Sequence, residues 1–120
     1  MHLLIVITTA LFITSCSNYR FSSNIDKEKF QHYFAPSRVE IYDYDEQIPA
    51  NNQYIGLVSG ESCQTKKHLM QANEQDARTN ARRQAAQQQA NAIVFTGCAH
   101  QQTKQCHTLV ICYGKAYQIQ

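Results

Sequence analysis

The sequence predicts an α+β domain, a small sheet of about four strands covered by one helix, in the order strand, strand, helix, strand, strand. Three observations carry this. Ala77, Ala81 and Ala85 recur every fourth residue within NEQDARTNARRQAAQQQ, residues 73–89, which is the spacing of one helical face. The runs Ile93-Val94-Phe95-Thr96 and TLVICY (Thr108 to Tyr113) are apolar on both faces, the pattern of central strands. Beyond Cys16, four cysteines form an even set, Cys63, Cys98, Cys106 and Cys112, able to close two disulfides in a small exported fold.

Export is read from the amino terminus. Leu3 to Ile13, LLIVITTALFI, is about eleven mostly apolar residues, too short for a bilayer span of roughly 20 but suited to the apolar core of a signal peptide. Only Met1 and His2 precede it, without the Lys or Arg usual there. Ile13-Thr14-Ser15-Cys16 resembles the bacterial lipobox, in which an invariant cysteine is lipidated and becomes the mature first residue. The odd cysteine count agrees, since five divides into one lipidated and four paired. Expected boundaries are a signal peptide over 1–15, a lipidated tether over 16–37 and a periplasmic domain over 38–120. No stretch after residue 16 is long and apolar enough for a transmembrane helix, so membrane attachment is expected through Cys16. A net charge of +2 is too weak for a nucleic-acid module.

The elements follow in order. Residues 17–37 show no sustained period and end near Pro36, which reads as a tether; its aromatics Tyr19, Phe21, Phe30, Tyr33 and Phe34 exceed what an inert linker requires, and are read either as contacts to a partner or bilayer surface or as packing on the domain. Val39 and Ile41 alternate with Glu40 and Tyr42 as a short half-buried strand. Pro49-Ala50-Asn51-Asn52 reads as a turn into a second strand, Tyr54 to Ser59, and the two suggest a hairpin. Gly60 is expected to end that strand, leaving ESCQTKKHL as a polar loop. The alanine-striped helix can lie close on a sheet, and Glu74 stands four residues before Arg78, a pair worth about 0.2 to 0.5 kcal/mol. The strands at 93–96 and 108–113 complete the sheet, with Lys115 to Ile119 continuing the last.

The densest reactive cluster is Cys98-Ala99-His100, Cys106-His107 and Cys112. Cysteine and imidazole can bind zinc, but no C-x2-C pair is present and Cys112 sits in an apolar strand, so disulfides are the favoured reading and no metal or other cofactor is expected. A catalytic thiol beside His100 or His107 lacks an orienting third group, and Asp43, Asp45 and Glu46 read as a solvated strand end. No catalytic residue or small-molecule substrate is expected. Arg78 and Arg82 share one side of the helix while Arg83 projects from another. They read as a solvated face or as candidate partner-binding residues toward an acidic protein or lipid phosphates.

Val39-Glu40-Ile41-Tyr42, Gly56 to Gln64 (GLVSGESCQ), Ala90-Asn91-Ala92-Ile93-Val94 and Val110-Ile111-Cys112-Tyr113-Gly114, with Cys98 and Cys106 between, resemble the RcsF family of outer-membrane lipoproteins, stress sensors of the enterobacterial Rcs phosphorelay. The V-S-G-x-S-C-Q run with this cysteine order is the specific part. The resemblance implies a non-enzymatic sensor anchored in the outer membrane by a palmitate-bearing Cys16, with its domain in the periplasm and its tether able to reach the surface. It implies contact with the β-barrel assembly machinery and outer-membrane barrel proteins and, on envelope damage, with the inner-membrane inhibitor IgaA. Ser17 after the lipidated cysteine fits sorting to the outer membrane. The alternative function is a structural or assembly lipoprotein without signalling. The tether is shorter and poorer in proline than is usual in that family, and hence more flexible. Four cysteines allow three connectivities, and proximity alone favours Cys98 with Cys106; the resemblance instead implies Cys63 with Cys106 and Cys98 with Cys112.

Overall fold

The computed structural model describes residues 27–120, which form, in chain order, helix α1 (Lys27–Phe34), a 3-10 turn (Ala35–Arg38), strand β1 (Glu40–Tyr42), a second 3-10 turn (Asp45–Gln47), strand β2 (Asn52–Gln64), helix α2 (Glu74–Gln87), strand β3 (Ala92–Gln101) and strand β4 (Thr108–Ile119). Helix α2 forms where the alanine spacing places it. Asn73 caps it, its Oδ1 accepting from the Asp76 N–H at 2.8 Å and so satisfying one of the donors a helix start leaves unpaired. At the other end Gln89 takes a φ of 66° and the Ala90 N–H returns to the Ala85 carbonyl, which stops the helix. Ala77, Ala81 and Ala85 are fully buried against the sheet.

The sheet has the order β1-β3-β4-β2. Strand β4 is antiparallel to both neighbours, pairing with β2 from Asn52↔Ile119 to Gln64↔Thr108 and with β3 from Ala92↔Tyr117 to Gln101↔Leu109. Each ladder skips one residue, between Tyr54 and Gly56 and between Phe95 and Gly97, and glycine with φ of 155° and 158° supplies the conformation each irregularity needs. Val58, Ile93 and Ala116 of the strands pack with Ala81, Ala85 and Val39 in the main core.

Gly60 sets the spacing between the layers. A Cβ there would overlap the Ala77 carbonyl oxygen and the Ala81 nitrogen and stand 2.6 Å from the Asn80 carbonyl carbon, so the helix backbone rests directly on the strand. Helix side chains also serve the free edge of β2: the Ser59 N–H donates to Gln84 Oε1 at 2.6 Å, and Asn80 Nδ2 donates to the Glu61 carbonyl at 2.7 Å. An edge strand covered in this way offers no template for further pairing there.

Two local expectations are corrected, and one segment takes a structure the sequence did not signal. Gly60 does not end β2, which continues to Gln64; the glycine marks a close approach rather than a break. The first two strands form no hairpin, because β1 pairs parallel with β3, Ile41↔Ile93, at the edge opposite β2. A strand of three residues carries too little pattern to name its partner, and the segment after it crosses the end of the sheet, where the Asp45 carboxylate accepts from Lys115 Nζ at 2.8 Å and from the Tyr117 hydroxyl at 2.9 Å. Residues 27–34 of the expected tether are helical; eight residues are too few to show a sustained period.

Two outcomes follow from these contacts. Gly60→Ala should cost about 3 kcal/mol or more in urea unfolding, because the inserted methyl meets backbone that cannot rotate away; a variant as stable as the parent would refute the close approach. The Asp45 carboxyl is held below its ordinary value by the hydrogen bonds from Lys115 and then Tyr117. That contact is therefore fully present above the ordinary carboxylate value and lost as pH falls through the lowered one. The melting-temperature gap between parent and Asp45→Asn should persist at neutral pH and close in acid below the usual carboxylate range.

Candidate functional site

The four domain cysteines, the specific part of the resemblance, gather at one end of the sheet. Cys98 and Cys112 face each other directly across β3 and β4 and form a disulfide with Cα atoms 4.0 Å apart. This bond lies on the helix side: Cys112 is fully buried with Val110 and Ala77, and its Sγ is 3.8 Å from the Glu74 carbonyl in the first turn of α2. The second disulfide joins Cys63, near the end of β2, to Cys106 in the loop before β4, with Cα atoms 5.4 Å apart. Alternation along β2 turns Cys63 to the sheet face opposite Val58 and Gly60, so the two bonds lie on opposite faces. Cys63 is exposed whereas Cys106 is buried.

Gln64, the one buried polar side chain among the described residues, organises the turn that follows. Its Nε2 donates to the carbonyls of Leu69 at 2.8 Å and Lys67 at 3.2 Å, while its Oε1 accepts from the Thr108 hydroxyl at 2.9 Å. Thr108 Oγ1 in turn accepts from the Ala72 N–H at 3.0 Å, and the Gln64 carbonyl takes the His107 N–H at 2.6 Å. Every polar atom of the amide is thereby used, as burial demands. The folded-back turn leaves Leu69 and Met70 exposed beside an open cleft lined by Gln71, Ala72, His100 and Leu109. His100 Nε2 lies 3.1 Å from Glu74 Oε1 at the rim.

The family model for the RcsF lipoprotein matches residues 15–120. The chain belongs to the RcsF lipoprotein family. No curated protein matches it.

Within this RcsF-family fold the Val-Ser-Gly-Glu-Ser-Cys-Gln run acquires a physical reading. Val58 is core, Ser59 and Glu61 offer edge groups to α2, and Gly60 admits the helix backbone. Ser62 Oγ accepts from the Asn73 N–H at 3.2 Å, Cys63 forms the exposed disulfide, and Gln64 ties down the turn. The pairing of all four domain cysteines is the one the resemblance implies, not the pairing that proximity favours. With the four thiols in disulfides, the zinc arrangement weighed from the sequence has no thiolate to offer, and no group of three or more His, Cys, Asp or Glu that could hold a metal is found among the described residues.

The three arginines do not converge. Arg78 lies 3.9 Å from Glu74, as the spacing predicts, with its guanidinium 5.2 Å from the Phe95 ring centroid. Arg82 donates twice to the Val39 carbonyl, from Nε at 3.1 Å and Nη2 at 2.7 Å, fixing the chain as it enters β1. Arg83 bonds Asn80 Oδ1 and reaches the His32 carbonyl at 3.4 Å. Arg82 thus serves the fold, and Arg78 keeps its side chain half-exposed beside a shallow cleft lined by Ile41, Gln75 and Thr79. What sequence reasoning missed is the Gln64 network and the clamp by Asn80 and Gln84, since neither residue type announces a partner so distant in the chain. Cys16 and Ser17 lie outside the described residues. Among those described, no helix is long and apolar enough to cross a membrane.

Each disulfide should contribute about 2 to 4 kcal/mol to stability. Their different exposure predicts an order of reduction, because exchange depends on access to the sulfur. Limited reduction and alkylation of the folded protein should label Cys63 and Cys106 before Cys98 and Cys112; the reverse order would contradict the burial of Cys112 beneath α2.

Proposed function

We propose that the protein is an outer-membrane lipoprotein that senses envelope stress and activates the Rcs phosphorelay by contact with the inner-membrane inhibitor IgaA. The family match over residues 15–120, which begins beside Cys16, is the observation that carries this reading. Cys16 bears the acyl chains, and the region after it tethers a disulfide-locked periplasmic domain. Contacts with the β-barrel assembly machinery and barrel proteins hold the domain away from its inner-membrane target in unstressed cells. The exposed part of α2 around Arg78, together with the cleft beside it, is the face assigned to partner contact.

In this reading location is the signal, and the domain need not change shape. Two disulfides on opposite faces of one sheet support a rigid domain, which can be presented or withheld as a unit. A tethered domain meets a partner in the same membrane at roughly millimolar effective concentration, whereas one held in the opposite membrane does not meet it at all.

Ser17→Asp, which changes the sorting residue to the one that tends to retain lipoproteins in the inner membrane, should therefore signal constitutively without stress. Fractionation establishes relocation first. If the relocated variant leaves an Rcs reporter at its unstressed level, contact sensing gives way to a structural or assembly role in the envelope.

A further inference from the structure

Helix α1 is amphipathic in the wrong sense for a helix that belongs to the core. Its polar side faces the domain: Glu28, Gln31 and His32 line the cleft against Ala86 and Gln87 of α2, and the His32 carbonyl accepts from Arg83 Nε at 3.4 Å. Phe30, Tyr33 and Phe34 stand at the i, i+3, i+4 spacing of one helical face; Phe30 and Phe34 turn away from the cleft, and Tyr33 stands at the rim of a second cleft beside Arg83. They remain 50%, 72% and 45% exposed, and none of the eight residues of α1 is buried. The three rings nevertheless form one cluster, with centroids 4.6 Å apart for Phe30 and Phe34 and 5.1 Å for Tyr33 and Phe34. Buried Ala35 and Pro36 hold the end of the helix on the domain, so the cluster is presented at a fixed place.

We infer that this aromatic face is a membrane-docking element that inserts into the interface of the bilayer carrying the lipid anchor. The inference rests on the proposed lipidation of Cys16. Residues 17–26 can span at most about 35 Å whatever their conformation, so a lipidated Cys16 keeps the start of α1 within about that distance of the bilayer surface. Aromatic rings favour the headgroup level, where an apolar body and a polar edge are both accommodated. By helical spacing Lys27 and Lys29 border the two sides of the ring face, where they can meet anionic headgroups, while Glu28 between them lies on the side toward α2. A short aromatic helix binds weakly by itself, but combined with an acyl anchor it forms the second of two signals, which fixes the orientation of the domain as well as its distance. The end of α2 beside α1 then faces the bilayer, and the opposite end of the domain, with the disulfides and the Gln64 turn, faces away.

The chain contains no tryptophan, so one introduced tryptophan reports alone. The full lipidated protein carrying Tyr33→Trp is reconstituted into vesicles of phosphatidylethanolamine and phosphatidylglycerol in which part of the lipid is brominated. A second preparation carries Leu57→Trp, an exposed position on the sheet. Vesicle flotation reports the anchor; tryptophan emission reports α1. The expected result is blue-shifted emission and several-fold quenching at position 33, little at position 57, and loss of the quenching at 33 when Phe30→Ser and Phe34→Ser are added while flotation persists. Failure to float overturns the lipidation reading on which the inference stands. Flotation with equal quenching at both positions, or none at 33, overturns membrane docking itself; if quenching is absent but the emission at 33 shifts on addition of a barrel protein, the aromatic face belongs to a protein partner.

Discussion

The contact of α2 with Gly60 is the constraint on which the rest of the fold depends. With no side chain between strand and helix backbone, the two layers meet at a distance that only alanine can fill, and Ala77, Ala81 and Ala85 occupy that seam. The same closeness brings Gln84 and Asn80 within reach of the β2 edge, so helix side chains replace the missing neighbouring strand. A larger residue at Gly60 would lift the helix from the core and also uncover an edge.

A core built at this spacing is thin. Its largest fully buried side chains are Ile93, Val39, Val110 and Cys112, and the remainder is mostly alanine. Few apolar groups leave the water, and a fold of this size is the kind that relies on covalent cross-links. The two bonds do different work: one joins the central strands beneath α2, while the other closes the end of β2 onto the loop before β4. Together they fix the part of the sheet farthest from the main core, where hydrophobic contact alone is sparse.

Legibility from sequence tracked the number of residues that share a pattern. The helix was readable because three alanines repeat, and β3 and β4 because both of their faces are apolar. Strand β1, with three residues, showed its alternation but not its partner, and the hairpin expected from adjacency was wrong because pairing across a sheet is settled by tertiary packing. Gly60 was visible but misread: a glycine that admits a helix and one that breaks a strand look alike until the helix is placed. At the candidate site the cysteines were legible as an even set, and their pairing came only with the family resemblance. Arg82 looked like a surface cation in the sequence, and its twofold grip on the Val39 carbonyl becomes visible only once the segment entering β1 is known to pack against α2.

Rigidity and tethering are complementary in such a molecule. A domain able to rearrange would respond to its surroundings through its own equilibrium, and its output would reflect the small differential affinity of whatever binds it. A locked domain has no such freedom, so in the proposed sensor information enters through where the domain is held and which end it presents. On the proposed reading, the unusual polarity of α1, with polar groups toward the domain and the Phe30 and Phe34 rings toward the outside, belongs to that second kind of control. A helix docked by its apolar face would stabilise the core and say nothing about orientation. Docked by its polar face, α1 adds little to stability but gives the domain a directional surface, close to the anchor proposed at Cys16. Stability thus resides in α2, the sheet and the disulfides, and placement resides in the segment that precedes them.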